Sequence, residues 1–455
     1  MRFSIVLPDP AARAAGGRLA RALLAAAPLL AACDLDSVLE VDDPFTVTPE
    51  TARDTANLAN TFAGARAQFA FAVGGQQNNE GGIVMTAGLM ADELYAADNF
   101  TSRWEVDSRQ IDYSGISASS DFAYIYLQRA RAAALNAAEI FAGSSQAGSP
   151  RHAELYNLVG YSVLMLAENF CSGVPLSELK LSGEFTYGEP LTTAQLYEQA
   201  IAYFDQAAAT AGSNARQKNL ATLAKARTLL DRGRFADAAA AAATVPDNFA
   251  PYLVEYDPVV DGTWNAIFQL SNGERRFSVS VSEGTQNRGL PFGQDPRTPI
   301  DPTPVGSVFG SGVVVHLQQK YPGYGADIPI ATAHEARYIQ AEAALRGGNV
   351  AEFERLLNAA RALQGLPALT SAQIGAGTDA RVDTLFRERA YALWLTGHRL
   401  SDLRRLIRQY GRREDQVFPT GATAIGIEYG TAVSLPVPFD EVNNPNFGGC
   451  LSTDA

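Results

Sequence analysis

From Arg216 to Pro246 the chain reads RQKNLATLAKARTLLDRGRFADAAAAAATVP, and no other stretch restricts the fold as much. Leu220, Leu223, Ala224 and Leu230 recur at helical spacing and form one apolar stripe, which Gly233 interrupts. A second helix runs through Phe235, Ala238, Ala239 and Ala242 and stops at Pro246. About 31 residues of helix, turn and helix, with small side chains where the two helices approach, match the period of a tetratricopeptide unit. One such pair cannot bury its own stripes, so it requires stacked neighbours.

The sequence supplies them. HEARYIQAEAALRGGNVAEFERLLNAARALQG, from His334, places Tyr338, Ala341 and Leu345 on one stripe and, after Gly347-Gly348, Phe353, Leu356, Leu357 and Ala360 on another. A third unit pairs VDTLFRERAYALWLTG with LSDLRRLIRQYG, and less regular helical stretches cover about 51–72, 121–142, 152–170 and 192–211. The expected fold is all-α: tetratricopeptide-like repeats in a right-handed solenoid, interrupted by long irregular loops. Two segments, 75–118 and 246–332, lack helical periodicity. The second carries Pro251, Pro258, Pro291, Pro296, Pro299, Pro302, Pro304, Pro322 and Pro329 and cannot be a helical repeat. Loops this long usually carry function. The alternating run FSVSVSEG, 277–284, reads as a strand pairing within its own segment.

The N-terminal region imposes a different limit. Arg13, Arg18 and Arg21 precede an uncharged run from Ala22 to Ala32, about 11 residues against the ~20 a spanning helix needs. A basic start, a short apolar core and small residues before a cut describe a secretory signal, residues 1–32. Leu30-Ala31-Ala32-Cys33 resembles the lipobox of bacterial lipoproteins, in which the cysteine thiol receives a lipid, so Cys33 is expected to anchor one domain, 33–455, to a membrane. Cys171 and Cys450 then remain as a pair in an oxidising setting and are expected to form a disulfide. The formal charge is −13; without residues 1–32, which hold four Arg and one Asp, 32 basic residues face 48 acidic ones. That surface argues against nucleic acid as a partner.

The stretch LFRERAYALWLTGHRLSDLRRL, 385–406, resembles the C-terminal signature of the SusD/RagB nutrient-uptake lipoproteins. Glu388, Arg389, Leu393, Gly397, Arg399, Asp402, Leu403 and Arg404 carry it, with Gly397-His398 where the family usually has Glu-Gly. ARYIQAEAALRGGN, SGVPLSE at 172–178 and PVPFDEVNNPN at 436–446 are similar to further family segments in the same order. The resemblance implies a lipid-anchored outer-membrane protein, facing the cell surface, that binds a nutrient and passes it to a SusC-like TonB-dependent transporter. The nutrient is most often an oligosaccharide and in some members a peptide. The acidic run CDLDSVLEVDD matches a surface-sorting signal only loosely.

The charged signature residues sit at spacings suited to ion pairs between packed helices, which makes them structural rather than catalytic. The four histidines, 152, 316, 334 and 398, are scattered, with no metal-ligand spacing, and no nucleophile elbow or phosphate loop occurs. No cofactor or catalytic residue is assigned; acidic pairs such as Asp92-Glu93 or Asp257 with Asp261 would be the starting point for a glycan-cleaving enzyme. Aromatic residues in the loops fit sugar binding, because sugar C–H faces stack on rings while hydroxyls need polar neighbours. The candidates are Asn99, Arg103 and Trp104, then Trp264 and Asn265, then Tyr321 and Tyr324. Each aromatic could instead plug its own loop onto the helices, and a tetratricopeptide scaffold for outer-membrane assembly would explain the repeats equally well.

Overall fold

A computed structural model describes residues 55–76, 81–113, 118–259, 263–282, 290–310 and 312–455. The signal segment, Cys33 and Asp261 lie outside the described residues. The long helices are α1 (Thr55–Gly74), α4 (Ala118–Ala142), α5 (Pro150–Asn169), α6 (Thr193–Thr210), α7 (Ala215–Asp231), α8 (Phe235–Ala242), α10 (Ala333–Arg346), α11 (Val350–Ala362), α13 (Thr378–Ala392) and α14 (Arg399–Tyr410). Shorter ones are α2 (Ile83–Met90), α3 (Thr101–Asp107), α9 (Ala266–Phe268) and α12 (Ser371–Ile374). Packing follows chain order: α1 on α4, α4 on α5, α5 on α6, α6 on α7, α7 on α8, α8 on α10 and α10 on α11. This is the serial stacking that the repeats require.

Local chemistry sets the ends. Ser149 caps α5 ahead of Pro150, Thr192 and Gln195 form a reciprocal cap on α6, and Asn214 and Asn349 cap α7 and α11. Gly233 (φ 74°) turns the chain between α7 and α8 in the left-handed region. Gly160 lets α5 and α6 approach, since a Cβ there would lie 2.5 Å from the Phe204 ring.

The third helix pair departs from simple stacking. α13 packs on α10, while α14 returns to the middle of the chain and packs on α2 and α5. Its charged residues join these layers. Arg389 Nε and Nη2 donate to both Asp402 oxygens at 2.8 Å, and Arg405 donates to Asp402 at 3.1 Å and to Glu342. Glu388 accepts from Arg297 at 2.8 Å and Arg361 at 2.5 Å. Arg404 donates to the carbonyls of Glu168 (2.7 Å) and Phe170 (3.3 Å), so it satisfies the end of α5. All five signature charges, Glu388, Arg389, Arg399, Asp402 and Arg404, are buried.

Cys171 and Cys450 are joined by a disulfide with Cα atoms 5.9 Å apart, across 279 positions of sequence. Backbone bonds flank it: Ser172 N–H donates to the Ser452 carbonyl at 2.9 Å and Leu451 N–H to that of Ser172 at 2.7 Å. The tail is therefore fixed beside the end of α5.

Two expectations need correction. Segment 75–118 contains α2 and α3, and every residue of α2 is buried, so it lacks the polar face that would reveal a helical period. The run at 277 does form a strand, Phe277–Val279, but it pairs antiparallel with Leu94–Ala96 in the other loop segment, in the register Leu94 opposite Val279. Strand pairing thus fastens the two loop segments to each other. Among the described residues no helix is long and apolar enough to cross a membrane.

Candidate ligand site

The pairing of Leu94–Ala96 with Phe277–Val279 places the residues after one strand beside those before the other. Asp98 is fully buried there and holds the Arg103 guanidinium, which lies between the rings of Phe100 (4.8 Å) and Phe277 (4.9 Å). Arg276 approaches Asp98 at 3.6 Å and lies 4.2 Å from the Phe309 ring and 5.5 Å from that of Phe100. Phe100 is 44% exposed, with exposed Asn99 next to it. Trp104 donates its indole N–H to the Asp98 carbonyl at 2.8 Å and rests half-buried on the core.

A single π-helical turn, Gln269–Gly273, continues from this cluster. Such turns are rare and alter which side chains reach the surface. Glu274, just after it, accepts from Gln269 at 2.8 Å and from Arg276. Gly273 leaves room for Tyr324, whose hydroxyl would lie 3.2 Å from a Cβ placed there. Tyr324 packs against Trp264 with ring centroids 4.4 Å apart and edge-on to Phe268 at 5.0 Å. The Trp264 indole donates to the Pro258 carbonyl at 3.1 Å, which fixes its plane.

These contacts form two clusters, Trp264–Tyr324–Phe268 and Glu274–Arg276–Phe309–Phe100, which the π-helical turn Gln269–Gly273 joins along the chain into one row; all but exposed Phe100 are half-buried. Ring faces that are held but not covered can stack on the apolar face of a ligand. Guanidinium and carboxylate groups between them can meet hydroxyls.

The predicted residues therefore divide. Asn99 is exposed, and Trp104, Trp264 and Tyr324 are half-buried. Arg103, Asn265 and Tyr321 are buried and hold the loops: Asn265 accepts from Phe268 N–H at 3.1 Å and donates to the Ala326 carbonyl at 2.6 Å, and the Tyr321 hydroxyl donates to the Leu395 carbonyl at 2.8 Å. Asn265 and Tyr321 spend their polar atoms on backbone, and Arg103 spends its guanidinium on the Asp98 carboxylate. Phe100, Phe268, Glu274, Arg276 and Phe309 were missed by sequence reasoning; their only signal is an aromatic or charged residue in a loop without period.

A groove of about 540 Å³ lies under α1 and the strand Tyr252–Val254, lined by Phe62, Arg66, Arg151, Tyr252, Glu255 and Thr263 among others. Thr263 directly precedes Trp264, so groove and row share a loop. Arg66 pairs with Glu255 at 3.0 Å and Glu154 at 3.4 Å across its wall.

Of the acidic pairs, Asp92-Glu93 is engaged within the fold, and Asp261 lies outside the described residues. Asp92 and Glu93 are buried, Asp92 accepting from the Ser280 hydroxyl at 3.0 Å and Glu93 from Leu395 N–H at 3.0 Å. Asp257 accepts from Val259 N–H at 2.7 Å. Among the described residues no cluster of three or more His, Cys, Asp or Glu side chains could hold a metal ion.

No protein-family model and no curated protein matches the sequence. Solved structures do match the fold. A SusD-like carbohydrate binding protein from Bacteroides vulgatus aligns with a TM-score of 0.60 at 13% identity, over 87% of this chain and 97% of that one. A putative sugar binding protein from the same organism gives 0.62 at 16% identity, over 88% and 98%. Surface glycan-binding protein A from Bacteroides uniformis gives 0.57 at 13% identity, over 87% and 99%. The chain has the SusD-like fold.

Proposed function

We propose that this chain is a SusD-like lipoprotein of the outer membrane that captures an oligosaccharide as nutrient and delivers it to a SusC-like TonB-dependent transporter. The fold and the names of its structural neighbours support carbohydrate binding. The row from Trp264 to Phe100 is the observation that carries the reading to particular residues. Stacking of sugar rings on Trp264 and Tyr324 would supply apolar contact, and Asn99, Glu274 and Arg276 would receive hydroxyls. An open row suits a polymer, which binds several shallow positions at once, better than a single small metabolite.

Binding, not bond cleavage, is the chemistry, and no cofactor enters it. The protein would act as a hinged lid over the barrel, with ligand held between them. Closure requires only that the ligand bind the closed state more tightly than the open one. The anchor would be lipid on Cys33, so Cys33→Ser should move the protein from the membrane fraction to the soluble one; continued membrane retention would remove the lipid from the account. The partner is tested by gentle solubilisation of outer membranes and recovery of the native protein with its neighbours. A stoichiometric TonB-dependent barrel is the expected outcome. An assembly complex in its place would transfer the protein to the scaffold class.

A further inference from the structure

The loop that carries Tyr324 begins at Lys320, and Lys320 faces a different cavity. This space, about 250 Å³, lies at the N-terminal end of α10 and is lined by Arg297, Lys320, Thr332, His334, Glu335 and His398, with a few apolar neighbours. It greatly exceeds the ~30 Å³ share of one water molecule. Its charges are unevenly matched. Arg297 is engaged by Asp295 at 2.7 Å and Glu388 at 2.8 Å, and Glu335 lies 3.3 Å from His398. The Lys320 ammonium donates to the Trp394 carbonyl and, among the described residues, pairs with no carboxylate.

The local field agrees with that imbalance. Burial pushes the Lys320 amine down to about 8, with Glu93 holding it partly up. Burial is also the main reason His334 falls to about 4; Glu335 opposes this, while Lys320, His398 and Arg297 add to it. A proton at His334 is thus disfavoured, by burial first, and the imidazole faces the cavity neutral. Thr332, at the N-cap of α10, makes no capping bond; its hydroxyl instead hydrogen-bonds His334 Nε2 at 2.9 Å, leaving the positive end of the helix dipole at the cavity.

We propose that this cavity binds a small oxyanion, the carboxylate of a sugar acid or inorganic phosphate, with Lys320 as the charge partner and His334 as a neutral hydrogen-bonding wall. The site is separate from the aromatic row and would give the protein a second, charge-selective ligand. Calorimetry on the full chain, with glucuronate, phosphate and glucose as probes, tests it. Saturable binding of glucuronate or phosphate is expected, with glucose inert as a competitor. Lys320→Met should weaken binding at least tenfold, and Trp264→Ala should leave it unchanged. His334→Phe narrows the cavity with Lys320 intact and should also abolish binding, so it carries the test if Lys320→Met does not fold. A preference for glucuronate identifies an organic acid as ligand, and equal binding of phosphate identifies the oxyanion alone; both support the site. Absence of binding by either anion, or binding that survives His334→Phe, overturns it.

Discussion

The charged network around α14 and the aromatic row between the two loop segments use similar side chains to opposite ends. Arg389, Asp402, Arg404 and Arg405 are buried and directed at one another or at helix carbonyls. Arg276 pairs with Glu274 and Trp264 with Tyr324, yet each keeps part of its surface in solvent. In the first region a guanidinium fixes helices, and its removal leaves a buried carboxylate. In the second it holds ring planes ready for something outside the chain. Exposure and directionality, rather than residue type, separate packing from recognition here.

That contrast is most easily broken where it is largest. Arg389→Met should cost about 3–5 kcal/mol, the usual penalty for removing one partner of a buried pair, and appear as a large fall in melting temperature. Unaltered stability would mean that the network is not what fastens α13 to α14. Reduction of the Cys171–Cys450 disulfide should cost about 2–4 kcal/mol, read from denaturant midpoints with and without reductant. Ligand affinity per folded molecule should not change in either case.

Acid sharpens the same distinction. Burial alone would raise the Asp402 carboxyl, but Arg389 and Arg405 outweigh it and hold it at about 2, below its ordinary 3.8. Its folded value is depressed, so its contribution is complete above the unfolded value and is lost as pH falls from about 4 toward 2, roughly 2 kcal/mol in all. Asp402→Asn should flatten that limb of a stability-against-pH curve. Smallest in energy are the row variants: Trp264→Ala or Tyr324→Ala should each weaken glycan binding by about 0.5–1.5 kcal/mol while moving the melting temperature little. A large loss of stability from both, with affinity preserved, would reassign the rings to packing.

The sequence made the network more legible than the row for a physical reason. α8 and α11 each bury one face, so their stripes are visible locally, and the turns at Gly233 and Gly348 mark where they begin. α2 buries every residue and leaves no period to read. The pair of cysteines could be matched because few cysteines compete. By contrast, which aromatic faces solvent depends on Leu94–Ala96 meeting Phe277–Val279, far away in sequence, and on one π-helical turn. Neither is encoded in spacing. Hence Tyr321 and Tyr324, three positions apart in one loop, were equal candidates, although one donates to a core carbonyl and the other lies on the row.

The most direct test of the central claim is a glycan-array measurement on the native chain beside the Trp264→Ala/Tyr324→Ala double variant, with folding checked by circular dichroism. The account predicts that the native protein captures one class of oligosaccharide and that the folded double variant loses it by tenfold or more. Equal capture by both proteins, or no carbohydrate captured by the native chain, would contradict it.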